Sequence, residues 1–160
     1  EMAAQRLFNF KEAEVKAIRL DNAAGTLVFE RQAPGQWRMR KPRDVRANDA
    51  TIAFLLSQMT AAQEERQIEA KPEQKADFGL NQPQATVTVT LENGQTHQLI
   101  VGAMDFSGAF LYALVDPPAD SAKTPELPVY VTTIDLQTAT IRPLSEWLAP
   151  PPQNQSERKP

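Results

Sequence analysis

The chain has 160 residues, with 17 lysines and arginines against 20 aspartates and glutamates, a net charge of −3. That size suits one domain or two very small ones, and the charge argues against a surface built wholly to grip nucleic acid. Apolar residues make up 41% and charged residues 23%, enough for a core, while zero Cys and one His exclude a disulfide framework, a Cys nucleophile and any multi-His metal site.

No apolar run approaches the ~18–20 residues that a bilayer-spanning helix needs. The first residue is Glu1 rather than Met, which fits removal of a leader, an anchor or a tag. Residues 1–14 begin with a helix-like pattern and turn aromatic at Phe8 and Phe10. VKAIRL and TLVFER then alternate in polarity around a short turn, the mark of strands with one buried face. After the turn at Ala33 to Gln36, Trp37 and Met39 alternate with Arg38 and Arg40 in a third strand that Pro42 ends.

Asn48 or Asp49 caps a helix, and Ile52, Leu55, Leu56 and Met59 form its apolar stripe. Gln67 and Ile68 suggest a short strand. PEQKADFG predicts a brief helix opening at Pro72 and stopping at Gly79. Thr86, Thr88 and Thr90 alternate with Val87, Val89 and Leu91, and Asn93-Gly94 is a favoured hairpin dipeptide before the return strand HQLIV. A loop from Gly102 to Gly108, the strand AFLYALV, a Pro-rich loop over 116–128 and the strand VYV follow. Thr132 or Thr133 caps a helix to Thr140, and PLSEWL is a further turn.

Together these predict an α+β fold. Antiparallel sheets from β-hairpins accompany one main helix at about 48–63 and short helices, in a pseudo-repeat of two β-β-β-α halves. Residues 1–148 read as a single α+β domain, with subdomains 7–66 and 85–148 joined by 67–84 as the alternative, and 149–160 as a flexible Pro-rich tail.

The segments RLFNFKEAEVKAIRL, GQWRMRKPRDVRANDATIAFLLSQM, DFGLNQPQATVTVTL and VGAMDFSGAFLYALVD, with VYV, carry a resemblance over residues 6–148. Phe8, Phe10, Gly35 to Trp37, Pro42, Asn48-Asp49, Gly79-Leu80, Pro83, Gly102 and Tyr112 mark it. The chain resembles a bacterial family of unknown function that is common in cyanobacteria, with relatives beside gliding-type ABC transporter components. The resemblance implies a membrane-anchored domain with one upstream transmembrane helix, facing the periplasm or a thylakoid lumen. It carries no catalytic residues over.

Candidate chemistry is sparse. Ser107, His97 and Asp105 spell a Ser–His–Asp set, but Ser107 lacks the G-x-S-x-G elbow. Gly102 and Gly108 flank a loop without the Lys-Ser/Thr of a phosphate cradle. Asp116, Asp120 and Glu126 do not match a calcium-loop spacing, and Asp44 and Asp49 read as a partner of nearby cations and a helix-start residue. No catalytic residue, metal ligand or cofactor is assigned.

The surface signal is basic. Arg31, Arg38, Arg40, Lys41, Arg43 and Arg46 gather around Trp37 with one acid, Asp44, inside the same stretch. Such a patch meets anionic lipid headgroups at about 1 kcal/mol per cation, or an acidic protein partner. Pro150, Pro151 and Pro152 favour the extended helix that docks into aromatic grooves. The partner-binding residues are therefore expected to be Arg38, Arg40, Lys41, Arg43, Arg46 and Pro150 to Pro152.

The expected function is a non-enzymatic, extracytoplasmic interaction domain. It is membrane-anchored in the full-length protein and acts as an accessory or assembly subunit of a larger membrane protein complex, with an anionic lipid surface as a further partner and no nucleic acid. The alternative is a lipid, glycan or peptide binding module serving an ABC-type transporter, with an apolar pocket near Trp37, Phe78 or Tyr112. A hydrolase using Ser107 and His97 is the third reading.

Overall fold

A computed structural model describes residues 5–118 and 126–150. Their alternating apolar positions build strands, and turn residues join neighbours into hairpins. The strands are β1 (Val15–Asn22), β2 (Gly25–Ala33), β3 (Gln36–Lys41), β4 (Val45–Arg46), β5 (Arg66–Ala70), β6 (Ala85–Leu91), β7 (Thr96–Met104), β8 (Phe110–Val115) and β9 (Leu127–Thr133). Two short helices follow β4 and β9, namely α1 (Asp49–Ala61) and α2 (Asp135–Thr140), and 3-10 turns cover Pro72–Phe78 and Leu144–Trp147.

All nine strands join one antiparallel sheet in the order β4-β3-β2-β1-β6-β7-β8-β9-β5. This corrects the α+β expectation: the fold is β-rich, and its helices are few and short. The physical reason lies at the sheet centre. β1 and β6 pair edge to edge, Leu20 facing Leu27 on one side and Val87 on the other, so the hairpins fuse into one sheet. The expected β-β-β-α halves also miscount, because β4 extends the first meander before α1 begins.

One face of the sheet carries the main core. Ile52, Leu55, Leu56 and Met59 of α1 and Leu136 and Ala139 of α2 bury against Leu20, Leu27, Phe29, Val87, Val89 and Leu99. The helix expected over 48–63 is shorter at both ends; Asn48 Oδ1 accepts the amides of Ala50 and Thr51, and Ala62 is already extended. The opposite face has a smaller core of Ala70, Leu80, Leu114, Leu127 and Val129, with Phe78 and Tyr112 packed on it. Strand alternation explains the split, because Leu111 and Ala113 of β8 face the first core while Tyr112 and Leu114 face the second. The chain crosses this second face closely at Gly102, where an added Cβ would lie 2.6 Å from the Phe78 carbonyl oxygen and 2.8 Å from Leu80 Cδ2.

Candidate functional site

The basic stretch folds as the β3–β4 hairpin at one end of the sheet. Trp37 and Met39 are buried, so Arg38 and Arg40 emerge on the other face of β3. Asp44, in the turn between β3 and β4, accepts from Arg38 Nε at 2.7 Å and from Arg40 Nη1 at 2.9 Å. Arg40 Nε also donates to Glu30 Oε1 at 2.9 Å, and Arg46 Nη2 donates to Asp49 Oδ2 at 2.7 Å. The Arg38 and Arg40 guanidiniums hold the Asp44 carboxyl below its ordinary value, while Glu30 and Asp44 raise Arg40. These groups are exposed, so the network sets geometry more than it adds stability.

The patch is therefore largely neutralised by four carboxylates, Asp44, Glu30, Asp49 and, on Arg31, Glu92, of which the basic stretch itself announced only Asp44. Glu30 enters through the β2–β3 pairing, which sets it opposite Arg38. Asp49 enters because its Oδ1 accepts the Trp37 amide at 2.8 Å, turning Oδ2 toward Arg46. Lys41 and Arg43 form no ion pair among the described residues.

A groove of about 700 Å³ opens beside this hairpin. The segment after the Leu144–Trp147 turn comes back along β4: the Asn48 amide donates to the Trp147 carbonyl at 2.8 Å and the Ala149 amide to the Arg46 carbonyl at 3.1 Å. Leu148, Ala149 and Pro150 thereby form one wall, facing Arg43, Val45 and Arg46. Of the expected partner-binding residues, Arg43, Arg46 and Pro150 meet in this groove, while Arg38 and Arg40 share Asp44 outside it and Lys41 does not line it. Pro151 and Pro152 lie outside the described residues. Val45, Leu148 and Ala149 were not legible as site residues, because nothing local marks a contact made across a hundred residues of sequence.

The other candidates separate. Ser107 Oγ donates to Asp105 Oδ1 at 2.7 Å, and that carboxylate also accepts the Ser107 and Gly108 amides. The serine hydroxyl, with these amides, holds Asp105 below its ordinary value. His97 stands at the opposite end of β7, about 23 Å away at the strand rise per residue. There Nδ1 lies 2.9 Å from Asp116 Oδ2, and the ring stacks on Phe10 at 5.3 Å. Ser107 and His97 are thus not brought together. Asp120 lies outside the described residues, and among the described residues no three His, Asp or Glu side chains gather as metal ligands.

Phe78 and Tyr112 fill space rather than line it, their rings 4.9 Å apart in the second core. Trp37 borders a smaller groove of about 300 Å³ with Glu12, Arg31 and Leu56. Phe106 is 96% exposed at the tip of the β7–β8 hairpin, a feature that the Gly102–Gly108 loop gave no reason to single out. No described helix is long and apolar enough to cross a membrane.

No curated protein and no solved structure matches the chain. A family model does, over residues 37–119, from the β3 strand through β8, which is just over half of the sequence. The chain belongs to the family described as Domain of unknown function (DUF4340).

Proposed function

We propose that this chain is a non-enzymatic interaction domain that serves as an accessory or assembly subunit of a larger membrane complex. In this reading the full-length protein is membrane-anchored and the domain stands outside the cytoplasm, in a periplasm or a thylakoid lumen. The membrane setting rests on the resemblance to a bacterial family whose relatives occur beside ABC transporter components.

The observation that carries the interaction is the groove between the β3–β4 hairpin and Leu148 to Pro150. Val45, Leu148 and Ala149 supply its apolar lining, and Arg43 and Arg46 its cations. That combination suits an acidic segment of a partner subunit that also carries an apolar side chain, since buried apolar area supplies affinity and cations supply orientation. The separation of Ser107 from His97 removes the best support for the hydrolase reading.

Photo-cross-linking tests this directly. A benzophenone side chain replacing Val45 in the membrane-anchored full-length protein is expected to capture one discrete membrane subunit, and Arg43→Glu with Arg46→Glu to reduce capture at least about tenfold. A probe at Thr88, on the far face of the sheet, is the control. Equal capture from both positions, or capture indifferent to charge reversal, overturns the reading. Salt-sensitive flotation with anionic vesicles, lost on reversing Arg38, Arg40 and Arg43, would instead assign the patch to a lipid surface.

A binding module for a lipid, glycan or peptide, serving an ABC-type transporter, is the second reading. The smaller groove beside Trp37 favours it.

A further inference from the structure

The β6–β7 turn carries the chain's one Asn-Gly pair, Asn93-Gly94, and both residues are exposed. The turn needs the glycine. Gly94 sits at φ 90°, in the region that side chains avoid, although a Cβ added there would meet nothing within 4 Å. Backbone conformation rather than packing therefore fixes this residue.

A glycine after an asparagine also leaves a reaction without a steric shield. The Gly94 backbone nitrogen attacks Asn93 Cγ, and the new N–C bond closes a five-membered succinimide. The Cγ–Nδ2 bond breaks, and the Gly94 amide proton leaves on ammonia. Water then opens the ring at either carbonyl, giving aspartate or isoaspartate at position 93. Nothing is oxidised or reduced, and solvent water is the sole co-reactant.

The folded turn withholds both reacting groups. The Gly94 amide donates to the Leu91 carbonyl at 2.9 Å, so its nitrogen is committed to the hairpin. Asn93 Oδ1 accepts the Gln95 amide at 2.9 Å, and Asn93 Nδ2 donates to Gln95 Oε1 at 3.2 Å. The carboxamide is thus tied to the residue beyond its nucleophile. Ring closure needs the nitrogen and Cγ in near-attack geometry, so both sets of bonds must open first. The Thr90–Thr96 pair, further along the ladder, can stay closed.

We propose that Asn93 is a deamidation site held shut by its own turn and reached by local opening of that turn alone. The folded chain is then marked slowly, without unfolding of β6 or β7. Isoaspartate routes the main chain through the former side chain, which adds one methylene inside the loop that the Gly94–Leu91 bond closes. It also sets a carboxylate beside Glu92, whose partner is Arg31. Both changes oppose reclosure, so the mark loosens a hairpin that flanks the β1–β6 seam.

Peptide mapping by mass spectrometry tests this on residues 1–160, kept in mildly alkaline buffer across a urea series. Where urea unfolds the chain, Asn93 is expected to convert faster than every other asparagine. In the folded chain its conversion is expected to be at least about tenfold slower, because only the open fraction reacts. Between these limits the rate is expected to stay flat up to the unfolding transition, since an opening turn exposes little surface. A folded rate equal to the unfolded one overturns the proposal, as does an Asn93 no faster than the other asparagines in urea. A rate that climbs steadily from the first additions of urea also overturns it, because the opening is then global. The isoaspartate form, separated by its added charge, is expected to unfold at lower urea than its parent, and an equal midpoint overturns the loosening.

Discussion

Asp105 fixes the conformation of the β7–β8 tip by accepting three hydrogen bonds from Ser107 and Gly108. The bond from the Ser107 hydroxyl does most to keep its carboxyl below the ordinary value of 3.8. A carboxyl depressed in the folded state adds stability above its unfolded value, and that stability is lost as pH falls through the folded one. Wild type should therefore lose more stability than Asp105→Asn on acidification below about pH 4, measured as the urea midpoint at successive pH values. Ser107→Ala should shrink the difference. Asp44 contributes in the same direction through Arg38 and Arg40, so only the difference between variant and wild type isolates Asp105. Sequence showed the Asp105-Phe-Ser-Gly spacing, but one spacing serves equally for a turn and for a piece of a triad. Only the position of His97 at the other end of β7 decides between them.

Elements differ in how openly the sequence announces them. α1 is legible because its information is local: Asn48 caps, and Ile52, Leu55, Leu56 and Met59 are all buried. Asn48→Ala should cost about 1 kcal/mol, since two first-turn amides lose their acceptor, and chemical denaturation will read it. The place of the Asn93-Gly94 turn between β6 and β7 was equally plain, but its type was not. The dipeptide suits a two-residue type I′ turn with positive φ at both residues, whereas only Gly94, at φ 90°, adopts it and the turn closes through Leu91 and Gln95. β4 was missed because two residues carry no periodicity, and β5 was read as Gln67 and Ile68 alone because Arg66 and Glu69 look like loop residues. The single sheet was the larger omission. Turn residues specify which neighbours form hairpins, whereas the β1–β6 pairing joins strands some seventy residues apart and leaves no local mark. The groove has the same origin, since Leu148 and Ala149 reach β4 only through the completed fold.

At the scale of the molecule, the β1–β6 seam runs through the main core rather than beside it. Leu20 is fully buried between Leu27 and Val87, so it belongs to both meanders at once. Leu20→Ala should cost about 2–5 kcal/mol. Its thermal unfolding should remain one transition, with tryptophan fluorescence (Trp37 and Trp147) and far-ultraviolet circular dichroism moving together. Two separated transitions would mean that the meanders hold themselves together independently.

The same seam has a consequence for how this sequence can drift. Along β6, Val87 and Val89 have no exposure, whereas Thr86, Thr88 and Thr90, on the opposite face, are only half-buried. Substitutions will be tolerated on a beat of two, with every second residue free to wander and the ones between held to a narrow range of volumes. The threonines are thus the replaceable half of the most regular stretch in the chain, and the valines are its heritable signature.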